Sequence, residues 1–282
     1  MNEKNMDIFE HIHASYYQLT AAERKVADYV LAGQTQVQFM SITQLADECG
    51  TADATVSRFC RSLGLKGFNA FKMELARNSS AKQEEKTELP FDTLPGRNRE
   101  IGRMAVDAVN QTIELVEEND IVRAVELFEK ADHVLCLGAG GSMLMAKEFA
   151  HLFSNVTNKF MAISDAHMQM IAAASMAEND VMVLFSYSGA TTQGMQELEL
   201  ARTKGIKTIL ITRFNKSPAA NLADIVLRCG SNEGPFQFGS VPAKIAQLTV
   251  MDTLFQEYCH RNREKCEENI QRIASALSDM HV

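Results

Sequence analysis

Residues 133–143, HVLCLGAGGSM, decide the fold of the larger part of this 282-residue chain. The stretch joins a short apolar run to a glycine-rich turn, and a helical pattern follows it. Four more short apolar runs come later, with helical segments between them, which is typical of a parallel sheet covered by helices on both faces. The pattern predicts an α/β doubly wound parallel-sheet domain whose strands are HVLCL (133–137), KFMAIS (159–164), DVMVLFS (180–186), KTILIT (207–212) and DIVLRC (224–229).

Residues 79–99, SSAKQEEKTELPFDTLPGRNR, mark the upstream limit of this domain. They hold two prolines, several charges and little apolar periodicity, so they are interpreted as a linker. The residues before them show helical patterns only. The chain is therefore predicted to consist of an all-α domain at 1–78, a linker at 79–99, and the α/β domain with C-terminal helices at 100–282.

The helices of the first domain have recognisable starts and stops. TAAE (20–23) and SITQ (41–44) have the spacing of capping boxes. Gly50 ends the short helix that begins at 41, and Thr51 is placed to cap another helix that runs to about Ser62. A short helix, a turn with glycine and a second helix form the pattern of a helix-turn-helix, whose second helix enters the major groove of DNA.

The charge distribution places a small basic region on an acidic chain. The net charge of −8 and a pI near 5.4 argue against a nucleic-acid coat or a membrane-surface protein. Residues 51–77 differ, because five basic and two acidic side chains give them a local net charge of +3. The basic region thus lies at the end of the small domain and includes the second helix of the candidate helix-turn-helix.

The face expected to be exposed on this second helix carries side chains that suit DNA. Hydroxyl and guanidinium groups match hydrogen-bonding groups on base edges, and cations match phosphates. Asp53 is expected either to cap its own helix or to accept a hydrogen bond from a cytosine amine. An all-α interaction domain with solvated cations fits the same pattern. The DNA-binding candidates are Thr55, Ser57 and Arg58 for base edges, Thr51 beside them, and Arg61, Lys66 and Lys72 for phosphates.

The segment TVSRFCRSLGLKGFNAFKMELA (55–76) resembles the N-terminal domain of the RpiR family of bacterial transcription regulators. The upstream segments LTAAERKVADYVL (19–31) and SITQLADECG (41–50) fit the same family. The resemblance covers about residues 1–77. It implies that the small domain is a DNA-binding helix-turn-helix.

Two loops that follow predicted strands have the pattern of a phosphate site. GAGGS (138–142) opens a helix, but Met143 stands where a dinucleotide fingerprint needs its third glycine. SYSGAT (186–191) also opens a helix, and its hydroxyls and backbone N–H groups can surround an anion. No Walker lysine accompanies it, so the pattern favours a phosphate monoester over a nucleoside triphosphate. The candidate ligand residues are Gly138, Gly140, Ser142, Ser186, Ser188, Gly189 and Thr191.

The two loops together resemble the sugar isomerase (SIS) domain over about residues 120–260. Matching pieces are DAHMQM (165–170), KSPAANLAD (216–224) and SVPAKIAQLTVMD (240–252). The resemblance implies a phosphosugar ligand whose phosphate is held by Ser186, Ser188, Gly189 and Thr191. Tyr187 and Ala190 stand where many relatives have histidine and glutamate, which leaves the identity of the sugar open.

Glu233 matches a place where SIS isomerases carry a glutamate base, and it is kept as a candidate ligand contact. A general base needs hydrogen-bond reach to the proton that it removes and a suitable pKa. A solvated loop carboxylate fits the sequence equally well.

The prediction is a DNA-binding transcriptional regulator of carbohydrate metabolism, controlled by a phosphosugar effector. No catalysis, metal or cofactor is expected. Its partners would be a double-stranded DNA operator, the phosphosugar and further copies of itself. A homodimer or tetramer is expected because two recognition helices must reach two half-sites. Two alternatives remain: a sugar-phosphate aldose–ketose isomerase with an accessory helical domain and Glu233 as base, and a phosphosugar-dependent regulator that binds a protein instead of DNA.

A cytoplasmic location is expected for this chain. The six cysteines include no C-x-x-C pair, which fits reduced thiols. The N-terminal residues interleave acids and histidines where a signal peptide needs an apolar stretch. No segment approaches the roughly 20 apolar residues of a membrane span, so no membrane partner is expected.

Overall fold

The computed structural model describes residues 7–32, 35–83, 93–231 and 240–278, and the chain divides into two compact units. One unit holds the described residues up to Gly102 together with Ser240, and the other holds the remaining described residues from Arg103 onward. Residues 84–92 of the predicted linker lie outside the described residues, while both ends of that linker belong to helices. The predicted domain limits therefore stay predictions.

The described part of the first unit is built from helices. Two of them begin at the predicted capping boxes, in which Thr20 and Ser41 accept backbone N–H groups while Glu23 and Gln44 accept hydrogen bonds in return. In the core of this unit, Phe59 meets Phe71 edge to face. The helices are α1 (Ile8–Ser15), α2 (Ala21–Leu31), α3 (Ile42–Glu48), α4 (Asp53–Ser62) and α5 (Phe68–Gln83), with 3-10 helices at Tyr16–Gln18 and Thr35–Phe39.

The turn between α3 and α4 differs from the prediction in one respect. Gly50 has a φ of +59°, which suits a left-handed turn. The expectation that Thr51 caps α4 is wrong, because the N-cap is Ala52, which makes no side-chain capping bond. The Thr51 hydroxyl instead donates to the Ala46 carbonyl at 3.4 Å. Thr51 thus supplies a hydrogen bond to a carbonyl in the last turn of α3.

The second unit confirms the predicted fold class. Its five strands form a parallel sheet in the order β2-β1-β3-β4-β5. The strands are β1 (Val134–Gly138), β2 (Phe160–Ala162), β3 (Val181–Phe185), β4 (Lys207–Thr212) and β5 (Ile225–Arg228). The accompanying helices are α6 (Leu94–Leu115, which begins in the first unit), α7 (Glu118–Lys130), α8 (Gly141–Ser154), α9 (Ala166–Ser175), α10 (Thr192–Thr203), α11 (Val241–Arg261) and α12 (Arg263–Ser278).

Apolar side chains pack on both faces of this sheet. Successive residues of a strand point to opposite faces, so each strand contributes to two cores. On β3, Val183 and Phe185 join one cluster, and Met182 and Leu184 join the other. Burial on both faces explains why the strands read as continuous apolar runs in the sequence.

The cysteines are free thiols, and all except the half-buried Cys259 are buried. Burial raises the pKa of Cys49 to about 11 and that of Cys60 to about 12. In Cys259, burial first and then the neighbouring Cys266 raise the pKa to about 12.

Within the described residues, each helix is either too short or too polar to span a membrane.

The strand order creates a switch point between β1 and β3. The chain leaves β1 for β2 on one side and later returns to β3 on the other side. In an open α/β sheet, ligands bind in the crevice at the carboxyl ends of the strands where the order reverses. The two loops predicted to bind phosphate follow β1 and β3, so both lie at this switch point.

Candidate functional site

The loop after β3 begins with a buried hydroxyl that lacks a hydrogen-bond partner among the described residues. Ser186 is buried, its backbone N–H donates to the Ile211 carbonyl, and its Oγ has no partner. Leaving such a group unpaired costs about 1–3 kcal/mol, so it calls for an explanation. A bound ligand that hydrogen-bonds to the Ser186 hydroxyl supplies one.

Gly189 is held close to the segment that follows β4. A Cβ atom at Gly189 would lie 2.1 Å from Ser217 Oγ, and the backbone φ of Gly189 is +60°. The Ala219 N–H donates to the Gly189 carbonyl at 2.9 Å. Ser217 is buried, and its hydroxyl donates to the Phe214 carbonyl at 3.2 Å. The loop is therefore packed tightly against the segment that follows β4.

The same loop leads into the N-terminus of α10. Thr191 is the N-cap of this helix, but its side chain makes no capping bond. Ser188 is half-buried, and its Oγ accepts from the Ala190 N–H at 3.3 Å. Helix N-termini have N–H groups without an intrahelical partner and a partial positive charge, which together attract anions. Ser188, Thr191 and the start of α10 thus suit a phosphate.

The loop after β1 folds tightly over the end of its strand. Gly138 pairs with Phe185 of β3, so the two loops start side by side. A Cβ at Gly138 would lie 2.8 Å from the Ser142 backbone, which excludes a side chain there. Gly140 is the N-cap of α8 with a φ of +56°. Ser142 is half-buried in the first turn of α8, which follows the carboxyl end of β1.

Arg213 is a cation that the sequence reasoning missed. It comes directly after β4, is half-buried, and its backbone N–H donates to the Tyr187 carbonyl at 3.1 Å. The signal available in the sequence was a basic residue at the carboxyl end of a strand. A positive charge at this position favours an anionic ligand at the carboxyl ends of the strands.

Glu233 lies outside the described residues, so its predicted contact with ligand stays a prediction. The structure describes the chain as far as Ser231, which has a φ of 100°. The Tyr187 hydroxyl donates to the Ser231 carbonyl at 2.7 Å. The hydroxyl of Tyr187, which stands between the two serines of the loop, is thereby engaged by the backbone of the segment after β5.

Helix α4 exposes part of the predicted DNA-binding set. Arg58 and Arg61 are exposed on α4, Lys66 is exposed in the turn after it, and Ser57 is half-buried. Asp53 accepts a hydrogen bond from the Thr43 hydroxyl at 2.8 Å, which links α4 to α3. The helix therefore presents cations to solvent next to a short preceding helix.

Two predicted DNA contacts are placed differently from the expectation. Thr55 is only 6% exposed, because it shares the inward face of α4 with Phe59 one turn later. Its hydroxyl accepts from the Arg58 guanidinium at 3.1 Å. The Lys72 ammonium donates to the Met40 carbonyl at 3.3 Å and lies 5.4 Å from the centroid of the Phe68 ring. Thr55 and Lys72 therefore make contacts within the unit, and their DNA contacts stay predictions.

Glu23 fixes α4 against α2. Its carboxylate accepts hydrogen bonds from the Thr20 hydroxyl at 2.7 Å and from the Ser62 hydroxyl at 3.1 Å. Burial alone would raise the pKa of Glu23, but these bonds, together with the Thr20 backbone N–H and the charge of Arg58, leave it lowered. The carboxylate is thus ionised where it holds the last residue of α4.

Comparison with known proteins agrees with both units. Residues 6–82 match the helix-turn-helix domain of the rpiR family, and residues 127–256 match the SIS domain. An uncharacterized HTH-type transcriptional regulator of Caldanaerobacter subterraneus is 33% identical over 252 residues, which cover 88% of this chain and 89% of that protein. The uncharacterized HTH-type transcriptional regulator YbbH of Bacillus subtilis is 29% identical over 96% of this chain and 97% of its own length.

A solved structure is similar over almost the whole chain. The NanR protein of Vibrio vulnificus, complexed with ManNAc-6P, has a TM-score of 0.87 and 26% identity, covering 98% of this chain and 100% of that one. The fold and the two sites thus define an HTH-type transcriptional regulator with a SIS domain. The chain belongs to the rpiR family.

We expect Gly189→Ala to lower the midpoint of thermal unfolding more than Gly205→Ala. Both glycines have a left-handed backbone, with φ of +60° and +73°, which costs an L-residue about 1 kcal/mol. Only at Gly189 does the added Cβ meet another side chain, since nothing lies within 4 Å at Gly205. Differential scanning calorimetry of the two variants measures this, and equal decreases would contradict the tight packing of the loop against Ser217.

Proposed function

We propose that this regulator controls genes of carbohydrate metabolism and that a phosphosugar bound at the switch point controls its affinity for its DNA operator. The observation that carries the proposal is the buried Ser186 hydroxyl at the carboxyl end of β3, which finds no hydrogen-bond partner in the described part of the chain. It opens the loop that leads into α10, next to the strand end from which the loop into α8 departs, in a chain that also has a helix-turn-helix.

The side chains at the carboxyl ends of the strands favour a phosphate monoester. Hydroxyl groups of Ser186, Ser188 and Thr191 can donate to phosphate oxygens, and the N-terminus of α10 and the charge of Arg213 favour the negative charge. The sugar would then extend toward Ser142 and the N-terminus of α8. The complex of Vibrio vulnificus NanR with ManNAc-6P supports this class of ligand.

Regulation requires that the effector bind DNA-competent and DNA-incompetent arrangements with different affinity. A ligand with equal affinity for both would change nothing, however tightly it bound. The proposal therefore includes a change in DNA affinity, in either direction, when the switch point is occupied.

The proposal assigns no enzymatic turnover to the chain. Its relatives in Caldanaerobacter subterraneus and Bacillus subtilis carry the names of transcriptional regulators. As a DNA-binding regulator it would act in the cytoplasm, where the bacterial chromosome lies.

A homodimer is the proposed assembly, because one helix-turn-helix reads one half-site and two copies read a palindrome. An apolar groove of about 1110 Å³ in the second unit, lined by α6, α7 and α11, is the proposed contact between copies. Ile113 on α6 and Leu248 on α11 line it and are 62% and 39% exposed. Exposed apolar side chains grouped in one groove are typical of an interface.

We predict that DNA binding depends steeply on salt and that Arg61→Ala reduces the slope of log K against log salt concentration by about one. The operator is first selected from a random duplex library, and fluorescence anisotropy then measures affinity at several salt concentrations. Lys130→Ala removes an exposed cation from α7 in the other unit and should leave the slope unchanged. No selected sequence, or an equal effect of both variants, would refute DNA recognition by α4.

We predict that at least one phosphosugar raises the melting temperature of the protein by mass action. The panel holds ManNAc-6P, N-acetylglucosamine 6-phosphate, glucose 6-phosphate, fructose 6-phosphate, ribose 5-phosphate and arabinose 5-phosphate. Ser188→Ala should weaken binding about 10- to 100-fold, which is typical of a lost hydrogen bond to a charged group. DNA affinity without effector should stay unchanged.

The control for the phosphosugar test is Ser175→Ala, which removes an exposed hydroxyl at the end of α9. The same incubations are assayed for aldose–ketose conversion, and turnover that Glu233→Gln abolishes would favour the isomerase instead. Absence of any shift across the panel would overturn the proposed effector site.

We predict that Leu248→Glu converts a homodimer into monomers, because a buried carboxylate would face apolar side chains of the other copy. Sedimentation velocity of the wild type and the variant measures the change. Ile171→Glu on α9, at a residue that is 47% exposed outside the groove, is the matched control. A monomeric wild type, or a variant that remains dimeric, would contradict the proposed contact.

A further inference from the structure

A buried amide connects the two ligand loops of the second unit. Gln169 on α9 is 1% exposed. Its Nε2 donates to the Ile163 carbonyl at 2.8 Å and to the Gly138 carbonyl at 3.1 Å. Gly138 is the residue from which the GAGGS loop departs. The Gln169 side chain therefore fixes the starting point of that loop.

The other end of the Gln169 amide contacts the helix of the second loop. Its Oε1 accepts a hydrogen bond from Gln193 Nε2 at 2.9 Å. Gln193 is the second residue of α10, two positions after Thr191 of the SYSGAT loop. The same Gln193 nitrogen donates to Glu197 Oε1 at 2.8 Å. A continuous path of hydrogen bonds thus runs from Gly138 to the first turns of α10.

Only one orientation of the Gln169 amide satisfies this path. The Gln169 nitrogen, with two protons, faces three acceptors: the carbonyls of Gly138 and Ile163 and, at 3.3 Å, the Met143 Sδ. The reversed orientation would set the amide oxygen against two carbonyl oxygens and the nitrogen against the Gln193 amide protons. An apolar side chain at 169 would leave these groups unpaired in a buried place. The requirement at this position is therefore for glutamine, not merely for a side chain of that size.

Glu197 ends the path inside the fold. It is fully buried, and its second oxygen, Oε2, has no hydrogen-bond partner among the described residues. Burial raises the pKa of Glu197, and the hydrogen bond from Gln193 opposes this only in part. Its hydrogen bond to Gln193 anchors the first turns of α10 to a buried side chain of the same helix.

We infer that Gln169, together with Gln193, is a positioning residue that sets the separation between the GAGGS and SYSGAT loops and so selects ligands that contact both. The inference rests on the proposed function of the switch point as a phosphosugar site. A phosphate ion alone needs only the SYSGAT loop and the start of α10. A phosphosugar also needs Ser142 and the start of α8 at the correct distance.

The test compares two probes on the same proteins. The sugar phosphate of the panel that binds the wild type most tightly is titrated by calorimetry, and inorganic phosphate is measured as its competitor. We expect Gln169→Met and Gln193→Met each to weaken binding of the sugar phosphate about tenfold, the size of one lost hydrogen bond. Binding of inorganic phosphate should change less than twofold. The double variant should lose no more than the worse single variant, because both break one path.

The control is Gln196→Met, which removes an exposed amide from the same helix and should change neither affinity. If Gln169→Met fails to fold, Gln193→Met, at a half-buried position, decides the question. Equal weakening of both probes, or no weakening of either, would overturn the inference while leaving the phosphosugar site in place. A wild type that binds no member of the panel would overturn the proposed function and the inference together.

Discussion

The parallel pairing of β1 with β3 is the constraint on which the ligand site depends. It places Gly138 opposite Phe185, so the chain leaves the sheet twice at neighbouring points, each time into the start of a helix. Both strands are buried along their whole length. A shift by one residue would turn each side chain to the other face of the sheet and break both cores. The apolar packing of the second unit thus holds two helix N-termini beside each other.

The sequence predicted those parts of the structure that depend on local rules. The five strands follow from short apolar runs separated by helices, and the capping boxes at Thr20 and Ser41 formed as their spacing indicated. The SYSGAT and GAGGS loops could be placed at one edge because parallel strands end on the same side. The glycines at 138, 140 and 189 meet steric or dihedral requirements that only glycine satisfies easily.

What the sequence did not reveal depends on contacts between distant residues. Thr55 was expected outside because its hydroxyl is polar, yet a buried threonine can hydrogen-bond to a neighbour on its own helix. Lys72 reaches a carbonyl 32 residues earlier in the chain, which no periodicity reports. The path through Gln169, Gln193 and Glu197 joins β1, α9 and α10. No sequence pattern distinguishes a buried glutamine in a helix from a solvated one.

The two cysteines of the first unit, Cys49 and Cys60, are buried where thiol chemistry is unfavourable. The thiolate is the form that reacts with peroxides and disulfides, and pKa values of about 11 for Cys49 and about 12 for Cys60 leave almost none of it at neutral pH. Both side chains lie inside the helix-turn-helix unit, where oxidation would add polar atoms to a closely packed core. Burial therefore makes both thiols weak nucleophiles, and the small apolar volume of each is used for packing rather than for chemistry.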